Sequence, residues 1–171
     1  MGQTLASPKV SRVGSTNLQA RARELYDVLT RLGRTWLFQD RDCICCYDVS
    51  VTQCHALRLL LERGPSTVNQ LAAGLYLEKS TASRVLDSLE RKGYVRRREH
   101  PEDARAILVE VTHSGRKLLG KIEKDLLFRH AQILAEFPPE VAEAAVRLLE
   151  KLCEAAQRRI DTSGGKCCLI D

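Results

Sequence analysis

Long apolar runs are missing from this sequence, and their absence excludes the membrane-spanning classes of protein. No stretch approaches the roughly 18 consecutive apolar residues that a membrane helix needs. The first residues also lack the basic and apolar regions of a secretory signal peptide. We therefore expect a cytoplasmic protein with no membrane partner.

Recognisable catalytic signatures are missing as well. The chain has no glycine-rich phosphate loop, no Ser-His-Asp ordering and no His-x-x-x-His spacing, and its four histidines are scattered. A thiol-based enzyme is the alternative from another class, but it would place Cys-x-x-Cys beside a parallel sheet, and the sequence predicts no such sheet. A helical partner-binding protein would explain the long helices but not the arginines described below. We expect a protein that is not an enzyme.

Positive charge is present but unevenly distributed. The 171 residues are 44% hydrophobic and 29% charged, which is typical of one globular domain with a sizeable core. The formal net charge is only +5. Its excess concentrates between Arg91 and Arg105, where six cations stand against three anions.

A helix with one uncommitted polar face precedes this basic stretch. Apolar residues recur with helical spacing at Ala82, Val85, Leu86 and Leu89, and Gly93 is suited to the left-handed position that ends a helix. The other face carries short hydrogen-bonding side chains and one arginine, which suit base edges and phosphates. Its candidate DNA contacts are Ser80, Thr81, Ser83 and Arg84.

A basic hairpin follows, with strands predicted over 94–99 and 106–111 and a tip at 100–105. Arg96, Arg97, Arg98 and Arg105 load it with charge that folding alone does not need. A solvated charged face is the ordinary explanation for an arginine run. Beside a helix with a free polar face, however, nucleic-acid binding is the better interpretation.

These segments resemble the core of the MarR family of bacterial winged helix-turn-helix regulators. The resemblance extends from about Arg21 to Arg159 and rests on three motifs. They are Leu86-Asp87-Ser88-Leu89-Glu90-Arg91-Lys92-Gly93-Tyr94-Val95-Arg96-Arg97, Pro101-Glu102-Asp103-Ala104-Arg105-Ala106 and Val109-Glu110-Val111-Thr112-His113-Ser114-Gly115.

The resemblance implies a homodimeric repressor that binds a pseudo-palindromic operator and changes its DNA affinity on receiving a chemical signal. It implies that the wing arginine Arg105 enters a minor groove and that Asp103 steadies it. The full expected set of DNA-binding residues is Ser80, Thr81, Ser83, Arg84, Arg97, Arg98, Asp103 and Arg105.

The expected fold is mainly α with a small β-hairpin wing. Helices are predicted over 18–38, from a cap at Ser50 to Gly64, over 68–75, from Thr112 to about Phe137, and from Glu140 to about Ile160. The terminal helices have more apolar face than one winged domain can cover, so dimerisation is expected. The predicted divisions are a flexible arm (1–17), a single domain (18–160) with dimerisation helices (18–40 and 113–160) around the winged helix-turn-helix (50–112), and a mobile tail (161–171).

Cysteines are dense just before the second helix. Four of the seven fall between Cys43 and Cys54, and we expect Cys43, Cys45 and Cys46 in a polar loop and Cys54 in an early helical turn. In an extended loop Cys43 and Cys45 would point to one side and meet Cys54, whereas adjacent Cys45 and Cys46 would diverge. Three sulfurs suit arsenic(III) or mercury(II) better than tetrahedral zinc, unless Cys46 or His55 completes the site.

Three forms of thiol chemistry remain open for this cluster. A thiophilic metal or metalloid ion such as arsenite, mercury or cadmium is preferred, with thiol oxidation and an iron-sulfur cluster as alternatives. A buried structural role is the ordinary reading and explains Cys153. Ion binding would shift the two winged lobes of a dimer and release DNA, although the opposite sign is also open.

Overall fold

The computed structural model describes residues 12–102 and 106–162, and for residues 12–16 and Cys45 it describes the backbone alone. The chain divides into two compact units, Met1–Ile122 and Glu123–Asp171. Asp103 and Arg105 of the hairpin tip lie outside the described residues, as do most of the predicted arm and tail. None of the helices in the described ranges is long and apolar enough to cross a membrane.

The predicted fold class is confirmed: helices dominate, and a small antiparallel sheet has the strand order β1-β3-β2. The chain runs through α1 (Arg12–Ile44), a short 3-10 turn (Cys45–Tyr47), α2 (Val51–Arg63), β1 (Ser66–Thr67), α3 (Val68–Gly74), α4 (Lys79–Arg91), β2 (Val95–Glu99), β3 (Ile107–Val111), α5 (His113–Leu134) and α6 (Pro139–Thr162).

The core of the first unit lies where α2, α3 and α4 pack with the sheet. Leu57, Leu71, Leu86 and Val109 are each almost fully buried there. The predicted cap of α2 is present, because Ser50 Oγ accepts from the Gln53 backbone N–H and Gln53 Oε1 accepts from that of Ser50. This reciprocal pair satisfies two backbone donors that the first helical turn would otherwise leave open.

The first helix is longer than predicted at both ends. It begins at Arg12, inside the predicted arm, and continues beyond Phe38 to Ile44. No glycine or proline interrupts the sequence after Phe38, and burial of Cys43 and Ile44 favours continuing the helix. The expectation of an extended cysteine loop is therefore wrong: Cys43 is helical and Cys45 and Cys46 lie in the 3-10 turn.

Two smaller features also differ from the prediction. Ser66 and Thr67 form a third strand against Val109 and Leu108, in addition to the capping role of Thr67 on α3. A strand of two residues is too short to show alternation, so no sequence pattern predicts it. On α2, the helical spacing of Val51, Cys54, Leu57, Leu60 and Leu61 predicts one inward face, but Leu61 is exposed.

The long helices expose large apolar side chains. Along α1 these are Leu18, Leu25, Tyr26, Val28, Leu29, Leu37 and Phe38. In the second unit α6 buries no residue, and the exposed apolar set is Leu127, Phe128, Leu134, Phe137, Val141, Val146, Leu148, Leu149 and Ile160. Apolar surface on this scale is typical of helices that pack against another chain.

The glycine of the Thr112-His113-Ser114-Gly115 motif lies where α5 passes close to Tyr94, and this close approach can be tested by substitution. A Cβ here would lie far inside contact distance of the Tyr94 carbonyl oxygen and 2.8 Å from Val111 Cγ1. We expect Gly115→Ala to lower the free energy of unfolding by about 1–3 kcal/mol, as overpacking does, when measured by urea denaturation.

Gly120→Ala is the matched control in the same helix. A Cβ at Gly120 meets no atom of the described chain within 4 Å. Alanine there should leave stability unchanged or raise it by up to about 1 kcal/mol through helix propensity. Equal effects of the two substitutions would contradict the close approach of α5 to Tyr94.

Candidate nucleic-acid interface

The α4 helix presents the predicted polar face. It begins after Glu78, which provides no side-chain cap, and buries Ala82, Leu86 and Leu89. Of the four predicted contact residues on this helix, Ser80 and Arg84 are exposed, whereas Thr81 and Ser83 are half-buried. The Arg84 Nε–H lies 3.4 Å from the Ser80 carbonyl oxygen, so its guanidinium lies along the exposed side of the first turn.

The end of α4 turns directly into the hairpin. Gly93 has φ +73°, as the sequence predicted, and its N–H donates to Glu90 O at 2.9 Å while that of Tyr94 donates to Leu89 O at 3.0 Å. Thr112 closes the corner from the other strand, because its hydroxyl donates to Gly93 O at 2.7 Å. The helix and both strands therefore meet at one corner.

Arginines alternate between the two faces of β2. Arg96 and Arg98 point to the face of Glu110, with their Nε–H groups donating to Glu110 Oε1 at 2.5 Å and Oε2 at 3.0 Å. Their side chains are exposed, whereas that of Glu110 is only 17% exposed. The Arg96 hydrogen bond, followed by that of Arg98, holds the pKa of Glu110 below its ordinary value.

Arg97 points the other way and ties the hairpin to α4. Its guanidinium donates to Asp87 and Glu90, and its backbone N–H donates to Glu90 Oε1 at 3.2 Å. The Asp87 hydrogen bond is the largest cause of the raised pKa of Arg97. A guanidinium that the protein's own carboxylates occupy is poorly placed to bind phosphate, so this geometry argues against Arg97 as a DNA contact.

The start of α4 and the end of β3 nearest the hairpin tip line one shallow depression. Its volume is about 290 Å³, and Lys79 of α4, Asn69 of α3 and Ile107 of β3 all contribute to it. Lys79 and Asn69 are exposed and were not singled out from the sequence, although a lysine opening this helix is a signal that could have found one of them. The first residue of α4 and the start of β3 thus border one continuous surface. The expected roles of Asp103 and Arg105 fall beyond the described residues and stay predictions.

The structure describes three of the four side chains of the predicted cysteine site, those of Cys43, Cys46 and Cys54. Cys43 and Cys54 are buried, whereas Cys46 is exposed, with its thiol 4.0 Å from the Asp42 carbonyl oxygen. Among the described side chains, which do not include that of Cys45, no three His, Cys, Asp or Glu groups are arranged to hold a metal ion. Cys153 is exposed, so its expected burial is wrong for the single chain.

The lowered pKa of Glu110 predicts a pH dependence of stability. A carboxylate with a depressed folded-state pKa stabilises the fold above its ordinary value of 4.5, and this contribution is lost as the pH falls through the lowered pKa. Wild type should therefore lose more stability than Glu110→Gln when urea unfolding is compared between about pH 6 and pH 3.

Glu143→Gln is the control, because Glu143 pairs with Arg147 on the exposed surface of α6. Exposed pairs contribute little to stability, so this variant should follow the wild-type pH profile. Parallel profiles for wild type and Glu110→Gln would show that the pairing with Arg96 and Arg98 does not stabilise the hairpin.

Comparison with known proteins places these features in a family. A sequence model described as MarR family matches residues 49–107. The uncharacterized HTH-type transcriptional regulator YxaD of Bacillus subtilis is 35% identical over 99 residues, which span 58% of this chain and 69% of that protein. The organic hydroperoxide resistance transcriptional regulator of the same species is 32% identical over 74 residues, 43% of this chain and 50% of that protein.

Solved structures agree in fold. A MarR family protein from Bacillus stearothermophilus has a TM-score of 0.76 and 24% identity, covering 81% of this chain and 97% of that one. The C80S mutant of MarR from E. coli has a TM-score of 0.69 and 20% identity, covering 75% of this chain and 96% of that one. With the helix-turn-helix, the hairpin and these relatives in view, the chain belongs to the MarR family and is a DNA-binding transcriptional regulator, not an enzyme.

Proposed function

We propose that this regulator is a homodimeric repressor that binds a pseudo-palindromic operator through α4 and the hairpin of each protomer. The observation that carries the proposal is the shared depression at Lys79 and Ile107, because it joins the start of α4 to strand β3 of the hairpin. Ser80 and Arg84 would then reach base edges and phosphates, and Arg98 and Arg105 would act from the wing. Arg97 would act indirectly, by holding the hairpin against α4.

The exposed apolar faces support the dimer. Large apolar side chains on α1 and on α6 are exposed to solvent in the single chain, and packing against a second copy of the protein would bury them. Two-fold symmetry also matches the DNA requirement, since half-sites lie about 34 Å apart, one helical turn, and each lobe must reach its own groove.

We further propose that thiols at the α1–α2 connection control operator affinity. Cys46 offers an exposed thiol, and Cys43 and Cys54 lie buried in the helices on either side of the connection. A thiophilic metal or metalloid ion is the preferred signal, since soft thiolates select such ions. Because the described side chains do not form a three-ligand set, ion binding would require the thiol of Cys45 or a rearrangement of the connection.

Thiol oxidation is the second candidate, and the exposure of Cys46 favours it. The Cys46 thiolate would attack the terminal oxygen of a hydroperoxide and the O–O bond would break, giving a sulfenic acid and an alkoxide that takes a proton from water and leaves as an alcohol. A neighbouring thiol would then condense with it to a disulfide and water. The relative named as an organic hydroperoxide resistance regulator is consistent with this chemistry within the family. An iron-sulfur cluster would instead give a brown protein with visible charge-transfer bands.

The DNA-binding surface is tested by comparing two hairpin arginines. Arg105→Ala should weaken binding to an operator duplex by about 1–3 kcal/mol in a fluorescence-anisotropy titration, with unfolding unchanged, because it removes a direct contact. Arg97→Met should weaken binding and also lower the free energy of unfolding by about 1–3 kcal/mol, because Asp87 and Glu90 lose a charged hydrogen-bond partner.

Arg147→Met is the control for loss of one positive charge, because within the described part of the chain Arg147 pairs with its helical neighbour Glu143 on the surface of α6. It should bind the duplex as wild type does. Wild-type affinity in Arg105→Ala would contradict the assignment of the wing.

Thiol control is tested by repeating the titration with arsenite, cadmium and hydroperoxide. An effective signal should change the operator affinity of wild type by about 5- to 150-fold, the usual range of coupling between two sites. Cys46→Ser should lose most of this response, whereas Cys153→Ser, an exposed thiol on α6, should keep it.

Responses equal to wild type in Cys43→Ser, Cys45→Ser, Cys46→Ser and Cys54→Ser would refute thiol control altogether. The reagent that acts distinguishes the ion from the oxidant, and the visible spectrum of freshly purified protein tests the cluster.

A further inference from the structure

Lys92, at the end of α4, reaches back to the connection that carries the cysteines. We call residues 45–50 the thiol junction, since they link α1 to α2 and contain Cys45 and Cys46. The Lys92 ammonium donates to the carbonyl oxygen of Asp48 in this junction. It also lies 3.5 Å from Asp48 Oδ1 and 3.4 Å from Gln53 Oε1. Three oxygens therefore surround a group that has three N–H donors.

This lysine is held more closely than a surface lysine usually is. Its side chain is only 27% exposed, whereas the Asp48 side chain beside it is 82% exposed. Lysine side chains are normally left in water, and ordering one costs rotamer entropy, so the oxygens must offset that cost. The contact therefore constrains the end of α4 as well as the junction.

The acceptors belong to two different elements. Asp48 ends the 3-10 turn in the left-handed region, with φ +56°, a conformation that Asp tolerates better than most residues. Gln53 is the residue whose side chain caps α2 against Ser50. One ammonium thus contacts both the backbone of the thiol junction and the first turn of α2. Lys92 itself is the C-cap of α4.

We propose that Lys92 is a positioning residue that makes the placement of α4 depend on the conformation of the thiol junction. This inference rests on the proposed thiol control and names the route by which it would act. A group added to a junction thiol would displace the Asp48 carbonyl, Lys92 would lose its acceptors, and the end of α4 would move relative to α2. Because a groove contact tolerates little misplacement, operator affinity would change.

A direct phosphate contact is the competing role for Lys92, and salt dependence separates the two. Lys92→Met keeps the aliphatic stem and removes the charge. If Lys92 is a positioning residue, Lys92→Met should lower operator affinity about three- to tenfold, as loss of one hydrogen-bonded group does. The slope of log affinity against log salt concentration should not change. Lys92→Arg should restore most of the affinity.

Substitutions at two other lysines are the positive and negative controls for the salt-dependence measurement. Lys79→Met, at the exposed start of α4, should make the slope shallower by about 1, as loss of a phosphate contact does. Lys151→Met, exposed on α6, should change neither affinity nor slope. A shallower slope in Lys92→Met would overturn the proposal in favour of direct contact.

The coupling itself is measured with methyl methanethiosulfonate as the probe. A junction thiolate attacks the sulfenyl sulfur, the S–S bond breaks and methanesulfinate leaves, giving a methyl disulfide that mass spectrometry locates. We expect this modification to change the operator affinity of wild type, and to change that of Lys92→Met by no more than about twofold although labelling is equal.

The outcomes distinguish this inference from the function on which it rests. An unaltered response in fully labelled Lys92→Met overturns the role of Lys92 and leaves thiol control intact. A labelled wild type whose affinity does not change overturns thiol control, and the coupling with it. If Lys92→Met does not fold, Lys92→Gln carries the test, because glutamine removes the ammonium and is too short to reach the Asp48 carbonyl, yet keeps a polar group at the end of α4. It should reduce the response in the same direction, and a full response would contradict the proposal.

Discussion

The Arg97 guanidinium, held between Asp87 and Glu90, is the contact on which the rest of the DNA-facing surface depends. It joins a strand of the hairpin to the exposed edge of α4, and the backbones of these two elements are hydrogen-bonded at the Gly93–Tyr94 corner. Strand β3 is already anchored by its pairing with β1 and by the burial of Val109, so the Arg97 bridge adds a second attachment, between β2 and α4. With it, helix and hairpin form one surface of fixed shape, which is what simultaneous contact with two grooves requires.

Strand alternation divides the basic stretch into different tasks. Arg97 is used inside the protein, whereas Arg96 and Arg98 share Glu110 on the outer face. Glu110 therefore partly neutralises the two arginines and orders their side chains. Part of the positive charge thus maintains the hairpin, so counting arginines overstates the number that are available to DNA.

Local signals carried most of what the sequence could predict. The periodicity of α4, the cap at Ser50 and the stops at Gly64 and Gly93 all depend on neighbouring residues, and the structure has them where they were expected. Arg97 could have been placed from the same signals, because it shares a strand face with buried Val95. Tertiary contacts gave no such signal. Continuation of α1 depends on burial of Ile44, and the link from Lys92 to Asp48 joins residues 44 positions apart.

The proposed operator recognition requires a two-fold pair of these surfaces to meet one DNA duplex, and half-site spacing tests that requirement most directly. The duplex is selected in vitro from random sequence. A fluorescence-anisotropy titration under stoichiometric conditions should then show two protomers bound to each duplex. Inserting about five base pairs between its half-sites rotates one by half a turn and should abolish tight binding. Undiminished binding after the insertion, or one protomer for each fragment, would contradict the account.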